Sequence, residues 1–112
     1  MEYGIERVFD TESGRWHITL SGEVDIFNSE AFRKSLLDML NEKEAGMVIN
    51  CEKLEYIDST ALGALISVMR RVKSFEGEIK LLNLKNNLAK LFKITGLDKV
   101  FKIIAAEGET DE

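Results

Sequence analysis

Short apolar runs alternate along this chain with stretches of helical periodicity, and that alternation restricts the fold more than any other feature. Met47-Val48-Ile49-Asn50-Cys51 is β-branched and almost wholly apolar, the pattern of a central strand buried on both faces. Residues 52–57 then read as a connecting loop, with Leu54 and Ile57 tucked inward. Across 61–72, Leu62, Leu65, Ile66, Met69 and Val72 fall on one helical stripe, as an amphipathic helix requires.

Upstream, 5–9 reads as a first strand, and Trp16-His17-Ile18-Thr19-Leu20-Ser21 alternates as a half-buried second one. Asp10-Thr11-Glu12-Ser13-Gly14 between them suits a hairpin loop, so the two should pair antiparallel. Ser29, or Asn28, can cap a helix that has Glu30 in its first turn. Phe32, Leu36, Met39 and Leu40 recur on its buried stripe, Leu37 widens it, and Gly46 is a stop. Downstream, 79–84 is a strand, and Asn86 or Asn87 opens a helix carrying Leu88, Leu91 and Phe92. Gly96 should end that helix, and 100–104 is a last strand. The order β, β, α, β, α, β, α, β predicts an α/β fold: a mixed, mostly parallel sheet of about four to five strands, joined by right-handed crossovers. Each helix has a single apolar stripe, so the helices should lie mainly on one face. Residues 1–106 form one domain, and 107–112 an acidic, disordered tail.

The 112 residues carry 15 Lys and Arg against 20 Asp and Glu, a net charge of −5. That balance argues against a direct nucleic-acid binder and against docking on an anionic membrane. Cys51 is the only cysteine, which excludes an intramolecular disulfide and fits a reducing compartment. The N-terminus lacks the apolar segment of a signal peptide, and no run is long enough to span a bilayer. A cytoplasmic protein is expected. One histidine and one cysteine match no zinc spacing, and no glycine-rich P-loop occurs, so neither a metal nor another cofactor is expected.

Strand polarity locates the candidate site. The loops after Leu20, Cys51 and Leu84 all leave carboxyl ends of parallel strands, the edge where α/β proteins place their sites. Asp25, Asp58 and Ser59, with Lys85 and Asn86, should cluster there. Within Tyr56-Ile57-Asp58-Ser59-Thr60-Ala61-Leu62-Gly63 two readings compete. Asp58, Ser59 or Thr60 can cap the helix, or the helix N-terminus can favour a phosphate. Ser59 lacks the glycine flanks of a hydrolase elbow and His17 lies on a strand, so no base stands ready to make Ser59 a nucleophile. Gly63 costs up to about 1 kcal/mol in a helix, which points to close approach by a backbone or partner, or to a tolerated glycine. Cys51, at a strand end, is either a buried small hydrophobe or the thiolate of a phosphocarrier.

Residues 56–63 resemble the phosphorylation signature of bacterial anti-sigma factor antagonists, in the family of sulfate-transporter and anti-sigma-antagonist (STAS) domains. Leu20-Ser21-Gly22-Glu23-Val24-Asp25 is similar to the family's earlier strand-end motif. Leu91-Phe92-Lys93-Ile94-Thr95-Gly96-Leu97-Asp98-Lys99-Val100-Phe101 is similar to its last helix and turn. The resemblance implies a regulator rather than an enzyme. Unphosphorylated, it would bind an anti-sigma factor that is also a serine kinase and so free a sigma factor. Phosphorylation would release it, and a serine phosphatase would reset it. Ser59 would be the phosphoacceptor, Thr60 the neighbouring hydroxyl, and Asp25 and Asp58 the flanking carboxylates, in a monomer or weak dimer. Many relatives have glycine where this chain has Ala61, whose methyl group would then sit at the contact edge. The alternatives are a STAS scaffold component of a signalling assembly and, from another class, a small phosphocarrier using Cys51.

Overall fold

The structure, a computed structural model, describes residues 2–105; the expected tail at 107–112 lies outside them. The chain runs β1 (Tyr3–Asp10), β2 (Arg15–Val24), α1 (Ser29–Glu42), β3 (Met47–Ile57), α2 (Ser59–Lys73), β4 (Ile79–Leu84), α3 (Asn86–Ile94), a 3-10 turn (Leu97–Lys99) and β5 (Lys102–Ala105). The strands form one sheet in the order β1-β2-β3-β4-β5. β1 is antiparallel to β2, and every later pair is parallel. This is the expected mixed α/β sheet.

The pleat assigns one set of side chains to each face. Trp16, Met47 and Ile79 align across three strands, as do Ile18, Ile49 and Leu81; all six are buried. Phe32 and Leu36 of α1, Leu65 and Val68 of α2, and Leu88 and Phe92 of α3 join the same cluster. The three helices therefore cover one face. On the other face His17, Val48 and Lys80 align. Val48 is buried but Asn50 is only half-buried, so β3 is not sealed on both faces as its composition suggests. At the hairpin, the Gly14 N–H donates to the Asp10 carbonyl at 2.8 Å. Trp16 is pinned by the bond from its Nε1 to the Lys43 carbonyl at 3.0 Å, with Phe9 edge-on.

The main departure from the sequence expectation is β3. It does not stop at Cys51 but continues to Ile57, so 52–57 is strand rather than loop. Its partner there is β2, which runs past Ser21 to Val24 with register shifts at Thr19/Ser21 and Gly22/Glu23. Leu54 and Ile57 still turn inward as expected, but the shifts break the simple alternation that would have marked a strand. Gly22 makes the distortion feasible. Its φ is 84°, and a Cβ there would fall 2.3 Å from the Glu2 carbonyl oxygen. At the other end, Gly96 closes α3 at φ 78°, and the last strand starts two residues later than its sequence pattern suggests.

A Gly22→Ala variant is expected to lose about 1–3 kcal/mol of stability, the scale of a non-glycine residue forced to positive φ with a steric clash. Urea unfolding read by the fluorescence of Trp16 measures it; an unchanged midpoint would refute the account.

Candidate functional site

The turn between β3 and α2 is built around one carboxylate. Asp58 is the N-cap of α2 in extended backbone geometry. Its Oδ1 accepts the Thr60 N–H at 3.0 Å, the Ala61 N–H at 3.0 Å and the Thr60 hydroxyl at 2.6 Å. Its Oδ2 accepts the Ile26 N–H at 3.0 Å. On the main chain, the Asp58 N–H donates to the Val24 carbonyl and the Asp58 carbonyl accepts the Leu62 N–H. One residue thus ties together the ends of β2 and β3 and the start of α2. The Thr60 hydroxyl holds the Asp58 carboxyl below its usual range, helped by the N–H groups of Ala61, Ile26 and Thr60 and opposed by desolvation.

The two readings of the helix start now separate onto different residues. Asp58 is the cap, and it occupies the N–H groups of Thr60, Ala61 and Leu62. Thr60 is half-buried with its hydroxyl committed to Asp58. Ser59 is exposed, and among the described residues its hydroxyl has no partner. A phosphoryl group on Ser59 would feel the helix dipole but would find those first-turn amides taken. Gly63, one turn along on the same side of α2, is exposed, and a Cβ there would meet nothing within 4 Å. Its missing side chain is not required by the packing of this chain.

Asp25 serves its own loop. Its Oδ1 accepts the Phe27 N–H at 3.0 Å, and its N–H donates to Asn28 Oδ1 at 2.9 Å. Asn28 stands at the N-cap position of α1 without a side-chain cap bond; its Nδ2 donates to the Glu23 carbonyl instead. With Ile26 bonded to Asp58, the loop at 25–28 is held against the Ser59 turn, as strand polarity predicts. It presents Ile26, 66% exposed, and Phe27, 88% exposed, with Tyr56 half-exposed just before the turn. Sequence reasoning missed these three as site residues. The available signal was two adjacent large apolar residues where the β2 alternation has ended.

Two expectations need correction, and one open choice is decided. Ala61 is 0% exposed, so its methyl group packs in the core and not at the contact edge. Lys85 turns to the middle of β3, reaching the Glu52 and Leu54 carbonyls. The loop after Leu84 therefore stops short of Ser59, because β3 runs on past the end of β4. Cys51 is buried with its thiol against the Ile49 carbonyl, and burial pushes its pKa up to about 12 despite Lys85. A thiol kept protonated and covered is a poor phosphoryl acceptor, which removes the support for the phosphocarrier. His17 lies at the far end of β2 beside Ser13 and Asp10. Both approach its Nε2, so it is not arranged as a relay. A groove of about 470 Å³ between Gly14, Gly46 and Gly77 is also away from Ser59. No described helix is long and apolar enough to cross a membrane. Among the described residues no His, Cys, Asp and Glu cluster could hold a metal ion.

The STAS domain family model matches residues 9–110. The anti-sigma-B factor antagonist of Bacillus subtilis is 35% identical over 88 residues, covering 79% of this chain and 80% of that protein. Among solved structures, the Bacillus cell-fate determinant SpoIIAA in its phosphorylated form has a TM-score of 0.70 at 25% identity, covering 93% of each chain. An anti-sigma factor antagonist from Mycobacterium paratuberculosis has a TM-score of 0.74 at 20% identity, covering 90% of this chain and 86% of that one.

The cap gives the fold a defined acid sensitivity. A carboxyl held lower in the folded protein stabilises it fully above its ordinary value of 3.8 and loses that contribution as the pH falls through the lowered folded value. Asp58→Asn is expected to unfold at lower urea than the parent at neutral pH and to lose less between about pH 6 and about pH 3. Asp10, lowered chiefly by the Ser13 hydroxyl, keeps its share in both proteins. Parallel slopes for the two would show that Asp58 is not the group responsible.

Proposed function

The chain belongs to the STAS-domain family, and from that premise we propose that it is an anti-sigma factor antagonist switched by phosphorylation of Ser59. Unphosphorylated, it binds an anti-sigma factor that is also a serine kinase, and a sigma factor is released. Phosphorylated, it lets go until a serine phosphatase restores it. It is a substrate of both enzymes and contributes no catalytic base.

The observation that carries this reading is the contrast between adjacent hydroxyls. Ser59 is exposed, whereas Thr60 is tied to Asp58. The surroundings support it. Ile26, Phe27 and Tyr56 offer apolar area to a partner, and the open space over Gly63 allows a partner backbone to approach. A phosphoryl group would add about −1.5 to −2 charges beside Asp58 and near Asp25, on a surface where every 1.4 kcal/mol of repulsion costs about tenfold in affinity. Binding would turn to release without refolding, so the switch acts at the interface.

With the cognate kinase and ATP, mass spectrometry is expected to find one phosphate on Ser59 and none on a Ser59→Ala variant. Ser59→Asp is expected to bind the kinase at least about tenfold more weakly than Ser59→Ala. Phosphate on Thr60 alone would sink the assignment.

Two further variants separate binding from folding. Phe27→Ala is expected to leave stability within about 0.5 kcal/mol but weaken partner binding by more than about 1 kcal/mol. Gly63→Ala is expected to gain up to about 1 kcal/mol of stability and to bind more weakly. Calorimetry of the free protein and of the complex reads both, and undiminished binding by both variants would place the interface elsewhere.

A further inference from the structure

β3 outruns its neighbour. Its ladder with β4 ends at Asn50↔Leu82, yet the strand continues to Ile57, and the Ser59 turn hangs from that extension. On the β2 side the ladder along the extension is irregular, with two register shifts. On the β4 side there is no backbone ladder, and side chains take its place. Asn83, at φ 58°, donates from Nδ2 to Asn50 Oδ1 at 3.1 Å. Further out, Lys85 Nζ donates to the Glu52 carbonyl at 2.8 Å and the Leu54 carbonyl at 3.3 Å. It also lies 3.6 Å from Glu55 Oε2.

Lys85 reaches out from a fixed base. It is the N-cap of α3, and its carbonyl accepts the Leu88 and Ala89 N–H groups at 2.9 and 2.8 Å. The pairing with exposed Glu55 is of the kind that salt screens and that contributes little. The bonds to two strand carbonyls are different: they are charge-assisted, and they satisfy edge groups that the end of β4 leaves without a strand.

We propose that Lys85 is a positioning residue for the Ser59 turn. Its ammonium completes the outer edge of β3 and fixes the direction in which the strand delivers Asp58 and Ser59. This deepens the function given above and rests on it only for the phosphorylation readout.

The test uses the free, full chain and a Lys85→Met variant, which keeps an apolar stem and removes the donors. Amide hydrogen exchange reports the turn through the Asp58 N–H, bonded to Val24, and the Ile26 N–H, bonded to Asp58. Ile49 and Leu81, in the regular part of the sheet, report global opening. Exchange is expected to quicken about tenfold at Asp58 and Ile26, the scale of a lost charge-assisted bond, and to hold steady at Ile49 and Leu81. Lys85→Arg, which retains donors, is expected to restore protection. Unchanged exchange at Asp58, or an equal loss at all four amides, overturns the proposal. With the kinase, Lys85→Met is expected to lower kcat/KM for Ser59 by a similar factor, and Lys85→Arg to recover it. A parent chain that took no phosphate at Ser59 would defeat the proposed function, while the exchange result would still decide the role of Lys85.

Discussion

The Asp58 carboxylate is a knot. Through one side chain and its own main chain it holds the end of β2, the end of β3 and the first turn of α2. Each of those ends would otherwise leave polar backbone groups to find water or go unmet. An ionised carboxylate suits the position because it only accepts hydrogen bonds, and every group converging on it is a donor. The positive end of the helix dipole favours the same charge. The loop bearing Ile26 and Phe27 and the turn bearing Ser59 are therefore one assembled surface, although more than thirty residues separate Ile26 from Asp58 in the chain.

That surface is mounted on a core to which it contributes little. Ala61, Leu62 and Leu65 face inward from α2 while Ser59 and Gly63 face out. The same helix thus supplies packing with one stripe and the proposed recognition edge with the other, and the two demands fall on different residues. Ala61 sits on the packing side, so its methyl group is a matter of core volume, a variable to which cores are sensitive at the level of single methylenes.

Much of this was legible in the sequence. Period-two and helical patterns gave the order of elements, and the strand–helix–strand connections gave their polarity. Polarity in turn brought Asp25 to the same edge as Asp58 and Ser59. What sequence could not give was the extent of β3. Glu52, Lys53 and Glu55 look like a loop because the segment is exposed along one edge and bulged against β2, and neither condition leaves a period-two trace. That error of strand length carried forward, since it brought Lys85 to Ser59 when the extension separates them. Pattern also could not decide which of Asp58, Ser59 and Thr60 caps the helix. All three are competent by composition, and only the geometry of the turn chooses.

The choice of Asp58 bears on reversibility. A helix start with vacant amides would grip a phosphoryl group and hold it partly shielded, so that removing it would require those bonds to break first. Here Asp58 already takes the Thr60, Ala61 and Leu62 amides, and a group on Ser59 would stand on the exposed side of the turn. If Ser59 carries the proposed phosphoryl group, its removal would depend on encounter with a phosphatase rather than on any opening of the fold.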